Sequence, residues 1–314
     1  MKYIGKKVLI LFATLLVMSF LVFLAFEAVK GDAALSALGD NATPEQIEAL
    51  REEMGLNQPM TVRYGKWLAG AARGDLGMST NYSVSVSELM KDKIAVTVHL
   101  AVLSLILILL IGLPLGIGTS GIRSAGGDIA VGVFNQIGMA IPPFFLGILI
   151  TWIFGLLLSW FRPGAYVDLS EDFGRGLGFL VFPALAIALP RAFTLIKFIR
   201  DSMAGQKRLN YVRTARSKGN DERRVLYVHM LRNALIPVIT FFAMIVAEVF
   251  AGSIVIEQVF GIPGIGRLLV VSIANRDFPV ILAIVLYIAV IVLTVNAVVD
   301  ILYHILDPRV MLED

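Results

Sequence analysis

The sequence predicts an all-α, polytopic membrane protein with six transmembrane helices and a small extracytoplasmic subdomain after the first. Three observations predict it. The 314 residues are 57% hydrophobic and 16% charged, with a mean hydropathy of +0.81, too apolar and too weakly charged for a soluble domain of that length. The apolar residues fall into stretches near the roughly 20 residues that a helix needs to cross a hydrocarbon core of about 30 Å. The charges collect between those stretches, and the positive excess collects on one side.

The first stretch, Val8 to Phe26, is free of charge and follows Lys2, Lys6 and Lys7. It is too long for the apolar core of a signal peptide and lacks a small-residue cleavage pattern, so it reads as an uncleaved span with its amino end in the cytoplasm. Residues 30–93 are polar, with seven cations and nine anions. Within them Thr43, Pro44 and Gln46 form a capping box for a helix that Gly55 ends. A second helix is expected around Tyr64 to Ala72, before the turn Arg73-Gly74-Asp75. No catalytic set converges here, and a structural or lid role is expected.

Ile94 to Thr119 is the second span, with Pro114 near its inner end. Ile129 to Trp160 carries no charge over 32 residues; as one helix it would be about 48 Å long, far more than a bilayer core needs. Pro142-Pro143 lies inside it, which predicts either a broken or strongly kinked span or an interfacial helix leading into an ordinary one. The fourth span is expected at Phe179 to Ile199, the fifth at Leu235 to Ile256 and the sixth at Val280 to Ile301. The division expected is a first helix over 1–29, the subdomain over 30–93, a transmembrane domain over 94–307 with a cytoplasmic loop at 201–232, and a tail at 308–314. Residues 197–232 hold ten cations against three anions, whereas the outer segments are net acidic. Both termini are therefore placed in the cytoplasm.

Composition also excludes. The net charge of +3 is not spread as a nucleic-acid footprint, no cysteine offers a thiolate, and His99, His229 and His304 are too scattered for a histidine-rich metal site. No GxxxxGK[ST] loop is present to cradle a nucleotide phosphate. Ser104 and His99 share a span but make no convincing catalytic pair, since a lone helical serine tends to bond its own backbone. Two ionisable residues lie inside spans, Arg191 and Glu248; each needs a partner or a wet cavity. They are read either as a mutual ion pair or with Glu248 lining a translocation path. Asn296, Asp300 and His304 recur every fourth residue as a polar seam.

The loop from Asn210 to Pro237, NYVRTARSKGNDERRVLYVHMLRNALIP, has internal order that anchoring alone does not explain. A short helix to Ser217, a break at Gly219 and a second helix capped by Asn220 or Asp221 make a crosswise element suited to docking a soluble partner. Tyr211-Val-Arg-Thr-Ala-Arg-Ser-Lys-Gly219, Arg223-Arg224 and Arg232-Asn-Ala-Leu-Ile-Pro237 resemble the cytoplasmic loop of permeases in dipeptide/oligopeptide-type ATP-binding cassette (ABC) importers. Gly55-Leu-Asn-Gln-Pro59, Arg73-Gly-Asp-Leu-Gly77, Ile111-Gly-Leu-Pro-Leu-Gly116, Phe260-Gly-Ile-Pro-Gly-Ile-Gly266, Arg276-Asp-Phe-Pro279 and Asp307-Pro-Arg309 extend the resemblance over essentially the whole chain. The family's Glu-Ala-Ala triplet stands here as Arg213-Thr214-Ala215, and Lys30-Gly-Asp-Ala33 lacks a proline common among relatives.

That resemblance implies a type I importer permease fold and a non-catalytic subunit of a prokaryotic cytoplasmic (inner) membrane. It implies a second homologous permease forming a heterodimer, two cytoplasmic ATPase subunits and an extracytoplasmic solute-binding protein, with no nucleic acid. The chain itself is expected to bind no cofactor; ATP and Mg²⁺ belong to the ATPases. Tyr211, Arg213, Thr214, Ala215, Lys218 and Gly219 would couple to the ATPase, with Arg213, Thr214, Ala215 and Gly219 nearest its groove. Glu248, Arg191, Pro142 and Pro143 would line the path or pair within the membrane. Peptides are the expected cargo, with nickel, glutathione or another small solute as the alternative within the class. An ion-gradient-driven secondary transporter is the alternative outside it, but only one clear mid-membrane acid and no convincing repeat support that.

Overall fold

The computed structural model describes residues 2–28, 42–53, 55, 57–122 and 124–306. Its helices, in chain order, are α1 (Lys2–Ala28), α2 (Pro44–Glu53), α3 (Met60–Ala71), α4 (Val86–Ser120), α5 (Ala125–Ala140) and α6 (Pro143–Leu157). They continue with α7 (Phe173–Gln206), α8 (Asn210–Ser217), α9 (Glu222–Phe260), α10 (Ile265–Ala274) and α11 (Phe278–Leu306). α4, α7, α9 and α11 are long and apolar enough to cross a membrane, and α5 with α6 makes a fifth candidate bent by 87°. Five candidates, not six, therefore pass by length and composition among the described residues. The remaining expected span corresponds to Leu9–Ala25 of α1, an apolar stretch one residue short of an 18-residue window.

The contacts divide the chain into two units, Met1–Thr97 with Pro263–Thr294, and Val98–Ile262 with Val295–Asp314. In the first unit, the Thr43 amide donates to Gln46 Oε1 (2.9 Å) and the Gln46 amide to Thr43 Oγ1 (3.3 Å). That is the reciprocal capping box the sequence announces. Gly55, at φ +67°, turns the chain after α2. The side chain of Leu50 and the whole of Met54 lie outside the described residues. Val86, Met90, Ile265, Leu268, Val280, Ala283 and Ile284 form one buried core. The start of α4 thus packs on α10 and α11. The expected span began at Ile94; α4 begins eight residues earlier because nothing in Val86–Lys93 breaks a helix and Val86 and Met90 gain this core.

In the second unit α7 is the most enclosed helix, with 61% of its apolar window buried against 33% for α4 and 22% for α9. Glycines let its neighbours approach. A Cβ at Gly112 or Gly116 of α4 would come within 2.9 Å of Leu195 or Ile199, and one at Gly138 of α5 within 2.1 Å of a Phe193 ring carbon. Small residues at helix contacts serve this purpose where lipid offers no hydrophobic drive. The bend between α5 and α6 falls at Ile141 and Pro142, both in extended conformation. Asp172 caps α7 by accepting from the Arg175 amide (3.0 Å). α9 runs unbroken from Glu222, through a π-helical stretch at Val225–Met230, past Pro237. Gly261 at φ +70° ends it.

Candidate functional site

α8 is a short helix with two dissimilar faces. Val212 and Ala215 are buried, at 0% and 7% exposure, while Asn210, Arg213, Thr214, Arg216, Ser217, Lys218 and Gly219 are exposed. The buried pair recurs at a helical spacing of three and seats the helix. Its ends are fixed by polar contacts. Gly219 takes φ +80°, a left-handed conformation that only glycine adopts without strain, and stops the helix. The Asn220 side-chain amide donates to the Ala215 carbonyl (2.9 Å), and Asp221 caps α9 by accepting from the Arg224 amide (2.9 Å). Arg216 Nε pairs with Glu222 Oε1 at 2.8 Å across the break. Arg216 is therefore occupied within the loop, whereas Arg213 and Lys218 present their charge outward on the face that carries Thr214.

The base of the loop is fastened to three membrane helices. Tyr211 donates from its hydroxyl to Gln206 Oε1 at the end of α7 (2.6 Å). Lys207 Nζ donates to the Ser120 carbonyl at the end of α4 (3.2 Å), where the helix dipole favours a cation. Ser202 donates to the Ala234 carbonyl of α9 (2.9 Å), one turn before Pro237. Arg200 pairs with Asp128 at the start of α5. Tyr211 and Ala215, both among the expected coupling residues, lie on the inward side of α8; Arg213, Thr214, Lys218 and Gly219 lie outward.

Arg191 Nη1 stands 2.7 Å from Glu248 Oε2, joining α7 to α9, and the two side chains are 33% and 48% exposed. Of the two readings open from the sequence, the ion pair is the arrangement in the structure. Pro142 and Pro143 lie at the α5–α6 bend, with Pro143 at the first position of α6 where a missing amide hydrogen costs nothing. Ser104 donates to the Leu100 carbonyl (2.7 Å), the local bond expected of a lone helical serine. Asn296 is exposed, and the side chains of Asp300 and His304, the rest of the expected seam, lie outside the described residues, as does the tail at 308–314.

One polar centre escaped the sequence reading. Asp277 is fully buried; it accepts from Ser79 Oγ (2.5 Å) and from the amides of Thr80 (3.2 Å) and Asn81 (3.3 Å). Ser79 Oγ in turn accepts from the Tyr82 amide (3.0 Å). The loop 79–82 is thereby fixed to the turn before α11. The signal was the Arg276-Asp-Phe-Pro279 motif, but its partners are almost 200 residues away in sequence. No group of three or more metal-ligating side chains gathers among the described residues.

Comparison with known proteins gives the following. Residues 112–312 match the family model described as binding-protein-dependent transport system inner membrane component, and residues 1–101 match its N-terminal companion. A protein of Brucella suis biovar 1 (strain 1330) named as a peptide transport system permease protein is 37% identical over 305 residues, 97% of each chain. The oligopeptide transport system permease protein AppB of Bacillus subtilis (strain 168) is 36% identical over 311 residues, 98% of each. The crystal structure of an amino acid ABC transporter with histidines superposes with a TM-score of 0.52 at 16% identity, over 69% of this chain and 94% of that one. That last likeness speaks for the fold alone.

Proposed function

The chain belongs to the family of binding-protein-dependent transport system inner membrane components, and on that footing we propose that it is the permease subunit of an ABC importer for peptides. It forms half of the translocation path and pairs with a second, homologous permease as a heterodimer. Two cytoplasmic ATPase subunits bind ATP and Mg²⁺ and supply the work, and an extracytoplasmic binding protein delivers the peptide. The peptide cargo is carried over from the names of the relatives at 36% and 37% identity.

The observation that carries the coupling role is the outward cationic face of α8 on a base tied to α4, α7 and α9. α8 docks in a groove of the ATPase through Arg213, Thr214, Lys218 and Gly219. Tyr211 and Ala215 hold it at the right height from the inward side. Because its base is bonded to three helices, a rigid-body displacement of α8 moves their cytoplasmic ends together. The Arg200–Asp128 pair extends that displacement to α5, and the bend at Pro142-Pro143 lets α5 move without forcing α6 to follow. Arg191 and Glu248 keep two mid-span charges neutralised on the path and exchange partners when a peptide's charged terminus arrives. The amino and carboxyl ends both lie in the cytoplasm.

The test is reconstitution of the complete importer in proteoliposomes. Gly219→Trp is expected to insert normally and to lose peptide uptake at least tenfold while the ATPases still hydrolyse ATP. Uptake at the original rate would overturn the assignment of α8.

A further inference from the structure

Three contacts tie α7 to α9 along one seam, and a proline lies between two of them. The pairs are Arg191 with Glu248, Phe198 with Phe241, and Ser202 with the Ala234 carbonyl. Positions rise on α7 as they fall on α9, so the two helices run antiparallel here. Arg191 and Phe198 are seven residues apart, as are Glu248 and Phe241; two turns keep both contacts on one face of each helix. The phenyl rings are stacked nearly parallel, with centroids 4.1 Å apart and planes 6° from each other.

The two helices are unequal at this level. From Arg191 to Ala204, α7 has neither proline nor glycine, and its Leu195, Ile196, Ile199 and Met203 are buried. α9, in contrast, carries Pro237 inside its helix. Proline has no amide hydrogen to give the Asn233 carbonyl, and its ring crowds that carbonyl, so a helix bends there more readily than elsewhere. Ser202 holds α9 one turn to the cytoplasmic side of Pro237, and Phe198 holds it one turn to the outer side. The straight segment of α7 therefore lies across the weak point as a splint. The other tie on the outer side is the half-open Arg191–Glu248 pair, which exchanges partners in the reading above. While that pair is open, the ring stack is the one of the three ties left on the outer side of Pro237.

We infer that Phe198 and Phe241 form a latch that keeps α9 straight across Pro237, so that a displacement of α8 reaches the Glu248 half of α9. Without the latch, a bend at Pro237 absorbs the displacement. Both phenylalanines are positioning residues that act through α9. The transport consequence rests on the coupling role proposed for α8; the latch itself rests on the α7–α9 seam alone.

The test uses Phe198→Leu and Phe241→Leu, which keep apolar bulk but cannot stack, in the assembled importer in nanodiscs. Hydrogen exchange of the amides at 238–241, the turn after Pro237, should rise about fivefold in each, while exchange at 192–199 of α7 keeps the parental rate. Adding Pro237→Ala supplies the missing helical bond and should return exchange at 238–241 to the parental rate. In proteoliposomes, peptide taken up per ATP hydrolysed should fall about fivefold in either leucine variant and recover with Pro237→Ala, while Phe198→Tyr, which keeps the ring, should match the parent. Parental exchange at 238–241 in both leucine variants would overturn the latch. So would equal acceleration in α7 and α9, which would make the rings ordinary packing. A local rise in exchange with uptake per ATP unchanged would overturn the link to coupling. Absence of peptide uptake in the parent would count against the importer reading, and the exchange result would still decide the latch.

Discussion

Two polar loops in this chain are held in opposite ways. The loop at 79–82 is organised from within: a buried carboxylate, Asp277, gathers a hydroxyl and two amides. The loop around α8 is organised from its edges, by a glycine, a capping aspartate and bonds at its base, and turns its cations outward. In the first, the charge is consumed inside the chain. In the second, Arg213 and Lys218 leave charge available to a partner. Position in sequence does not separate them; the location of the satisfied charge does.

Removing the internal charge should have the largest effect. Asp277→Ala leaves three donors without their acceptor, and a buried group so orphaned costs about 1–3 kcal/mol. A loss of about 1–3 kcal/mol is expected, read as new protease cleavage at residues 78–85 and a lowered melting temperature in detergent. If Asp277→Ala is as stable as the parent, the contrast between the loops collapses.

Changing the edges should affect function more than stability. Gly219→Val puts a β-branched residue at φ +80° with nothing within 4 Å to clash, so the cost is backbone strain of about 1–2 kcal/mol. Detergent melting should fall slightly while peptide uptake falls at least tenfold. Equal loss of folding and uptake would say that α8 is structural like the Asp277 loop.

The Arg191–Glu248 pair lies between these extremes, half-open and bonded. Single substitutions Arg191→Gln and Glu248→Gln should couple by about 1 kcal/mol in a double-mutant cycle of stability. The charge-swapped Arg191→Glu, Glu248→Arg chain should recover part of the loss. Two additive single effects, with no recovery on swapping, would remove the pair from the account.

The smallest effect concerns the exposed turn at 168–170. Hydrogen bonds from Ser170 hold the Asp168 carboxyl below its ordinary pKa, with His99 adding a little. A carboxylate lowered on folding stabilises above its unfolded pKa, and the contribution disappears as pH falls through the folded value. Hydrogen exchange in this turn should therefore rise only in strongly acid solution, and Ser170→Ala should move that rise toward neutral pH. Tyr166 nearby does not interfere, because burial, with help from the Asp168 charge, pushes its phenol up to about 12. An unshifted profile in Ser170→Ala would assign the depression elsewhere.

What the sequence revealed follows the range of the interactions. The Thr43–Gln46 box, the turn at Gly55 and the break at Pro142-Pro143 depend on residues within a few positions, and could be read directly. The Arg191–Glu248 pair was one of two readings because its partners lie 57 residues apart and only the cost of lone charges in lipid joined them. The Asp277 clamp and the glycine contacts on Leu195, Ile199 and Phe193 were beyond reach, since neither periodicity nor capping chemistry says which distant segment will meet them. The early start of α4 went unread for a related reason: the polarity of Val86–Lys93 placed it with the extracytoplasmic subdomain, and the core that draws it into α4 comes from residues 265–284.

The central claim is that the outward face of α8 meets the ATPase and the inward face does not. The chain contains no cysteine, so single cysteines report unambiguously. In the assembled importer, Arg213→Cys and Thr214→Cys should cross-link to the ATPase subunit through a short maleimide–benzophenone photocross-linker, while Ala215→Cys, buried at 7% exposure, should not. Cross-links from Ala215→Cys alone, or from none of the three in an importer that still transports, would contradict the account.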